Sequence, residues 1–138
     1  MTEELIFKTN SPFDSVSFDR STNDWCFLFT DKIYVIASGF WRLIKSDRII
    51  FVSFDNGQQF GRTKPIDLIG EVTRQLTGKN LTEIIVKQNT ADLTLLISDK
   101  IKIEIFIASS GYESYDLSIY GKRYIGLGSG DIKIIDNK

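Results

Sequence analysis

The sequence predicts an α+β protein that is mainly antiparallel β, a curved sheet or small sandwich with one principal α-helix near residues 65–77. Short apolar runs recur along the chain between turn-forming residues, and one turn pattern occurs three times. A single segment has the three- and four-residue apolar spacing of an amphipathic helix. The 138 residues fit one domain. We interpret residues 1–24 as a peripheral N-terminal segment and residues 25–136 as the core.

The N-terminal segment combines one short apolar run with a long polar stretch. Leu5-Ile6-Phe7 could form an edge strand or a frayed turn. From Asn10 to Asp24 the composition shifts to Ser, Thr, Asn and Asp with interspersed aromatics, which indicates a loop or a weak strand. We therefore expect this segment to lie over the domain.

Three turns share the pattern hydroxyl–Asp–cation–Ile, at Thr30–Ile33, Ser46–Ile49 and Ser98–Ile101. Asp tolerates the left-handed backbone that a tight turn requires, and each copy lies between apolar runs. The pattern predicts three hairpins, which pair residues 25–29 with 33–37, 40–44 with 49–54, and 93–97 with 101–108.

The helix prediction depends on the stretch that begins at Pro65. Proline suits the first helical position, so the helix is expected to start at Lys64 or Pro65, and Gly78 is a good stop. Gly70 inside the helix is unfavourable, and close packing of helix on sheet would explain it. The polar loop Asp55–Arg62 before the helix is expected to be anchored to the helix start, with Phe60 buried.

Further strands are predicted after the helix, at residues 81–88, 115–120, 123–127 and 132–135. The total is nine or ten strands with mostly local connections, as in an antiparallel domain.

Composition excludes several classes of site. The chain has no histidine and a single cysteine, Cys26, so neither an ordinary zinc site nor a Cys–His nucleophile is expected. We expect no metal and no cofactor. The acidic start lacks the pattern of a signal peptide, and no apolar run is long enough to cross a membrane. These features predict a cytoplasmic protein without a membrane partner, and the net charge of −1 argues against nucleic acid.

Two patterns that resemble catalytic or phosphate-binding motifs have simpler interpretations. Gly126–Gly130 reads G-x-G-x-G but leads into a strand, which favours a turn over a phosphate loop. Asp55, Asp67 and Glu71 are the best candidates for acid–base chemistry. Asp55-Asn56-Gly57 also fits a turn, and Asp67 fits a helix start.

The acidic residues concentrate near the N-terminus. Residues 1–31 contain six acids and two cations, a balance of −4, which leaves +3 for the rest because the whole chain carries −1. Asp14, Asp19 and Asp24 are spaced through the polar stretch. They form either a solvated face or an acidic docking surface.

A second candidate for partner binding is Gly111–Tyr115. Tyr112, Glu113 and Tyr115 combine aromatic rings with a carboxylate, as protein interfaces often do. Core packing of the tyrosines is the alternative.

Several of these short motifs, in this order, resemble a family of small bacterial immunity proteins from polymorphic toxin and contact-dependent growth-inhibition systems. The similarity spans about residues 40–130 and consists of Trp41-Arg42-Leu43, Asp55-x-Gly57-Gln58-x-Phe60-Gly61, Pro65-Ile66-Asp67, Asp92-Leu93-x-Leu95 and Gly111-Tyr112-Glu113-x-Tyr115. Tyr115 departs from the family pattern, in which a tryptophan is expected.

The resemblance implies a cytoplasmic, non-enzymatic protein that binds and neutralises the C-terminal domain of a cognate toxin, with no catalytic residue. The alternatives are a small enzyme or small-ligand-binding domain that uses the Asp55–Asp67 loop, and a structural domain without either activity.

Overall fold

The structure is a computed structural model that describes residues 4–108 and 111–136, with 53% of the chain in strands and 11% in helix. The predicted class, mainly antiparallel β with one principal helix, is therefore confirmed. The strands of this part of the chain are β1 (Glu4–Asp19), β2 (Asp24–Phe29), β3 (Tyr34–Ala37), β4 (Trp41–Lys45), β5 (Arg48–Val52), β6 (Asn80–Lys87), β7 (Leu93–Ile97), β8 (Ile101–Ile105), β9 (Tyr115–Ile119), β10 (Lys122–Gly126) and β11 (Ile132–Asp136). The helix α1 (Leu68–Leu76) lies between β5 and β6 in the chain.

The strands form one open antiparallel sheet in the order β11-β10-β9-β3-β2-β1-β6-β7-β8-β4-β5. β1 joins its two halves, because its residues up to Pro12 pair with β6 and its residues from Phe13 onward pair with β2. Proline is tolerated at such a change of partner. The sheet curves so that the ring of Trp41 on β4 packs edge-on against Trp25 and Phe27 on β2, with centroids 5.2 and 5.1 Å apart.

Residues 4–19 form a strand, which was one of the two alternatives given for Leu5-Ile6-Phe7 and for the stretch from Asn10. The strand lies inside the sheet between β2 and β6, so the expected peripheral position of this segment was wrong. Val16 is buried, and three phenylalanines of β1 pack against the core.

The register of β1 shifts between Lys8 and Ser11, and again between Phe13 and Ser15. The alternation of inward-facing residues continues from Leu5 to Phe13 and is broken only at the second shift. The polar residues Thr9 and Ser11 occupy two of the inward positions, and this concealed the period-two pattern of the strand.

The three predicted hairpins are confirmed as β2–β3, β4–β5 and β7–β8. Two successive residues in each turn have φ between 51° and 65°, the left-handed backbone that a type I′ turn requires at both central positions. These pairs are Asp31–Lys32, Ser46–Asp47 and Asp99–Lys100. The second copy turns one residue earlier in the shared pattern than the other two.

The helix begins at Leu68, later than the start predicted at Lys64 or Pro65. Ile66 explains the delay, since both of its backbone groups bond across the preceding loop, its N–H to Gln58 (2.8 Å) and its carbonyl to the N–H of Gly57 (2.9 Å). These bonds hold the chain out of the helix until the next residue.

The loop before the helix is anchored to the helix start as expected, but Phe60 plays no part in this. The side-chain oxygen of Asn56 accepts the Leu68 N–H at 3.1 Å. Phe60 is 68% exposed, with φ 45°. The predicted burial of Phe60 was therefore wrong, because the backbone bonds at the base of the loop close it without an aromatic anchor.

The core is one cluster that receives inward-facing side chains from both halves of the sheet and from the helix. Leu68, Val72 and Leu76 form the fully buried side of α1, whereas Ile69 is partly exposed. α1 has nine residues, and no helix in the described ranges has the length and apolar character needed to cross a membrane.

Candidate functional site

An open cleft of about 540 Å³ lies at one end of the curved sheet. It lies between the β1–β2 hairpin and a second wall made by the β3–β4 connection and the residues after β5. We call it the aromatic cleft, and its lining consists of Phe18, Asn23, Trp25, Ser38, Gly39, Phe40, Ser53, Phe54, Asn56 and Ala108. None of these side chains is charged, so the cleft presents aromatic rings and neutral polar groups.

Two pairs of rings supply the aromatic surface. Phe18 and Trp25 have centroids 4.6 Å apart, and Phe40 and Phe54 have centroids 5.2 Å apart. Trp25 is only 4% exposed and forms the floor, whereas Phe54 is 72% exposed. Phe54 is therefore the most exposed ring of the cleft.

Local structure explains where these rings lie. Phe18 and Trp25 are directly opposite each other on β1 and β2, so both point to the same face. The chain after β5 turns through a short 3-10 segment, Ser53–Asp55. The hydroxyl of Ser53 accepts the Trp41 N–H at 3.2 Å, and the Asp55 carboxylate accepts the Val52 N–H at 3.2 Å. These bonds hold Phe54 beside Phe40.

The predicted contact residues Tyr112 and Glu113 lie next to the cleft. The carbonyl of Ser114 accepts the N–H groups of Ser38 and Gly39, at 2.9 and 3.1 Å, and these two residues line the cleft. The bonds draw residues 111–114, the rim loop, against the wall of the cleft. Tyr112 is 80% exposed and Glu113 is also exposed.

Tyr115 belongs to the core, so its predicted role as a partner contact was wrong. It is 1% exposed, and its hydroxyl donates to the Ala91 carbonyl at 2.7 Å. A Cβ at Gly126, opposite it on β10, would come within 2.3 Å of the ring. Burial raises the pKa of Tyr115, and the nearby Asp92 carboxylate adds to the effect. The ring fills the space that the glycine leaves.

Asp19 and Asp24 face each other across the end of the β1–β2 hairpin. We call this end the acidic tip. Strand alternation directs these side chains to the face opposite Phe18 and Trp25. The hydroxyl (2.7 Å) and the N–H (2.9 Å) of Ser21 donate to Asp19 Oδ1, and these bonds lower the pKa of Asp19. The tip therefore carries negative charge at neutral pH without lining the cleft.

The acidic tip and the rim loop lie at the same end of the sheet. Trp25 pairs with Ala37, which pairs in turn with Tyr115, so the start of β2, the end of β3 and the start of β9 form one row. Asp14 lies apart from this row. It is the unpaired bulge residue of β1, five positions from Asp19, or about 16 Å along a strand. Glu3 lies outside the described residues.

The carboxylates considered for catalysis have structural partners. Asp55 accepts a backbone N–H as described above, Asp67 accepts the Gly70 N–H at 3.2 Å, and Glu71 pairs with Arg74 at 2.7 Å. In the two described ranges there is no group of three or more His, Cys, Asp or Glu side chains that could hold a metal ion.

The glycine-rich stretch is a turn, as predicted from the strand that follows it. Gly128–Gly130 forms a short 3-10 segment before β11. A Cβ at Gly130 would lie 2.2 Å from the Asn89 carbonyl oxygen, so glycine allows this turn to pack directly on the β6–β7 connection. Gly126 and Gly130 are each required by a close contact, Gly126 with the Tyr115 ring and Gly130 with the Asn89 carbonyl.

Sequence reasoning missed the aromatic residues of the cleft. Phe40 and Phe54 were placed at the ends of predicted strands, and Phe18 belonged to the aromatics of the predicted loop or weak strand. A usable signal was the position of Phe54, a large apolar residue directly before the polar Asp55–Arg62 loop. The convergence of Phe18 with Phe54 depends on the curvature of the whole sheet.

The fold and the cleft define an antiparallel β protein with an aromatic cleft and an acidic hairpin tip at the same end of the sheet. Comparison of the chain with protein-family models, with curated proteins and with solved structures found no match.

Proposed function

We propose that this chain is a protein-binding module that neutralises a basic bacterial toxin domain by docking it at the aromatic cleft. The observation that carries the proposal is the exposed ring of Phe54 at the mouth of a cleft lined by aromatic and neutral side chains. Aromatic residues that pack in such clefts supply much of the binding energy at protein interfaces. In this proposal the chain acts in the cytoplasm as an immunity protein, without catalysis, metal or cofactor.

Charge supports a basic partner. The acidic tip and Glu113 lie at the same end of the sheet as the cleft. Electrostatic attraction between complementary surfaces raises the rate of association. An immunity protein benefits from fast association, because free toxin is lethal. We further propose that the two halves of the curved sheet act as the layers of a small sandwich, consistent with the ring contacts between β2 and β4.

The alternative, a small enzyme or ligand-binding domain that uses the Asp55–Asp67 loop, is less well supported. The Asp55 carboxylate accepts the Val52 N–H at the end of β5, and the Asp67 carboxylate accepts the Gly70 N–H at the start of α1. Neither carboxylate lines the aromatic cleft. Of the residues of this loop, Asn56 lines the aromatic cleft.

Co-expression and binding to the toxin encoded beside this gene test the proposal. Phe54→Ala should weaken binding at least tenfold, because a central aromatic contact is lost. Phe60→Ala is the matched control, since its ring is equally exposed but lies outside the cleft. Loss of binding in the Phe60 variant alone would move the interface to the loop. If no adjacent toxin domain binds the chain, the immunity function is wrong.

The charge argument has its own test in the association rate. Joint replacement of Asp19 and Asp24 by Asn should slow association, by about threefold at low salt and less at high salt. Asp14→Asn is the control, because it removes one charge on the same strand but away from the cleft. An association rate that is unchanged by the double substitution would contradict a role for the acidic tip.

A further inference from the structure

We infer that the aromatic cleft receives a cationic side chain, an arginine guanidinium of the partner, between its two pairs of rings. This inference deepens the proposed function and rests on it for the identity of the partner. It names the chemical group that the cleft recognises.

The cleft has the surfaces that a guanidinium group prefers. Phe18, Phe40 and Phe54 line it, and the buried Trp25 forms its floor. A cation within about 6 Å of an aromatic centroid is attracted by the ring quadrupole, and arginine also stacks on the ring plane. None of the cationic side chains in the described part of the chain lines the cleft. In this inference the positive group that complements these rings comes from the partner.

The same group of rings already holds one guanidinium within the protein. The centroid of Phe106 lies 5.6 Å from that of Phe40, and the Arg42 guanidinium lies over the Phe106 ring at 5.2 Å. Glu104 holds Arg42 in this position through an Nε–Oε1 contact of 2.6 Å. The rings thus continue from a site occupied by Arg42 into the cleft, where Phe54 offers the next ring.

Polar groups could complete the recognition of the guanidinium head. The neutral side chains of Asn23, Ser38 and Ser53 line the cleft and carry hydrogen-bond acceptors. Outside it, Glu113 on the rim loop and the acidic tip supply negative charge at the same end of the sheet. This arrangement repeats the pattern around Arg42, one aromatic surface with a carboxylate nearby. An apolar partner side chain would gain nothing from these acids.

Small capped amino acids provide a direct test with the isolated protein. N-acetyl-arginine methylamide should shift the indole N–H resonance of Trp25 in a saturable way at millimolar concentrations. The protein has two tryptophans, and Trp41, which is fully buried, should shift much less. The citrulline analogue has nearly the same shape without the charge, and it should bind at least fivefold more weakly. The norleucine analogue tests for an apolar preference.

Substitutions locate the binding. Phe54→Ala should weaken arginine binding at least threefold, and Phe60→Ala should leave it unchanged. Both rings are exposed, so both variants should fold. Equal or tighter binding of citrulline or norleucine would overturn the inference, as would the absence of any Trp25 shift. If arginine binds as expected but no adjacent toxin domain does, the proposed immunity function fails while the cation site remains.

Discussion

At the scale of single residues, Tyr115 depends on two other residues. Its ring occupies the space above Gly126, and its hydroxyl bonds to the carbonyl of Ala91, a residue with φ 61° in the β6–β7 connection. The tyrosine therefore links β9 to a turn on the other half of the sheet. Because the ring is buried, its ionised form is strongly disfavoured in the folded state.

Tyr115→Phe tests this linkage through the pH dependence of stability. The folded pKa is raised above the unfolded value of about 10, so this group's contribution is fully present below pH 10 and is lost as pH rises further. The phenylalanine variant should lack this part of the alkaline loss. Near pH 7 it should be about 1–3 kcal/mol less stable, because the Ala91 carbonyl loses its partner.

Urea unfolding between pH 7 and pH 11 measures both effects. Tyr112→Phe is the control, because Tyr112 is 80% exposed. It should retain both the stability and the alkaline loss of the natural protein. The same alkaline slope in the Tyr115 variant and in the natural protein would show that Tyr115 does not cause it.

At the scale of elements, the sequence was informative where local chemistry decides the structure. The paired residues Asp31–Lys32, for example, adopt the left-handed backbone that the turn pattern predicted. The sequence was less informative where contacts between residues that are distant in sequence decide the structure. Phe60 is a large apolar residue of the kind that usually lies in a core, yet it is exposed. The backbone hydrogen bonds at the base of its loop hold the loop in place without a buried side chain. Of the candidate site, the exposed Tyr112 and Glu113 were predictable, but the cleft beside them was not.

The strand β1 shows most directly what could not be predicted from the sequence. On its outer face, Glu4 and Lys8 lie opposite Lys87 and Glu83 of β6, cross-strand pairs of opposite charge that favour one register. These pairs join positions about 80 residues apart, and periodicity within a short window carries no information about them. The register shift between Phe13 and Ser15 then breaks the alternation of the strand.

The helix start allows a sharper test of local structure. A Cβ at Gly70 would lie 2.6 Å from a carboxylate oxygen of Asp67, the residue that caps the helix. This glycine therefore makes room for the Asp67 side chain. From the sequence, Gly70 was instead explained by close packing of the helix on the sheet. Asp67→Ala should cost about 1 kcal/mol of unfolding free energy.

Gly70→Ala should behave differently with and without the cap. In the Asp67→Ala background it should stabilise the protein by about 1 kcal/mol, the usual advantage of alanine in a helix interior. In the natural protein the methyl group collides with the cap, so the gain should be absent or reversed. A double-mutant cycle by urea unfolding measures the coupling, and additive free energies would contradict this account of Gly70.

At the scale of the whole molecule, β1 connects the two halves of the sheet. Its first part pairs with β6 and its last part with β2, and no other strand joins these halves in the sheet order of the described residues. Its inward side chains, including Val16, belong to or pack against the common core. Removing it would expose edges on β2 and β6 and open the core on both sides. Unpaired edges of this kind favour association between chains.

Deletion of residues 4–19 should therefore abolish cooperative unfolding, although the first 24 residues were expected to be peripheral. The deletion variant should show a weak or broad thermal transition by circular dichroism and a tendency to aggregate. A variant that keeps β1 but changes its outward residues, with Ser15→Thr and Ser17→Thr, is the control. It should melt cooperatively, since threonine suits an exposed strand position. A sharp, concentration-independent melt of the deletion variant would mean that residues 25–136 fold alone, and that β1 only covers a core that is already complete.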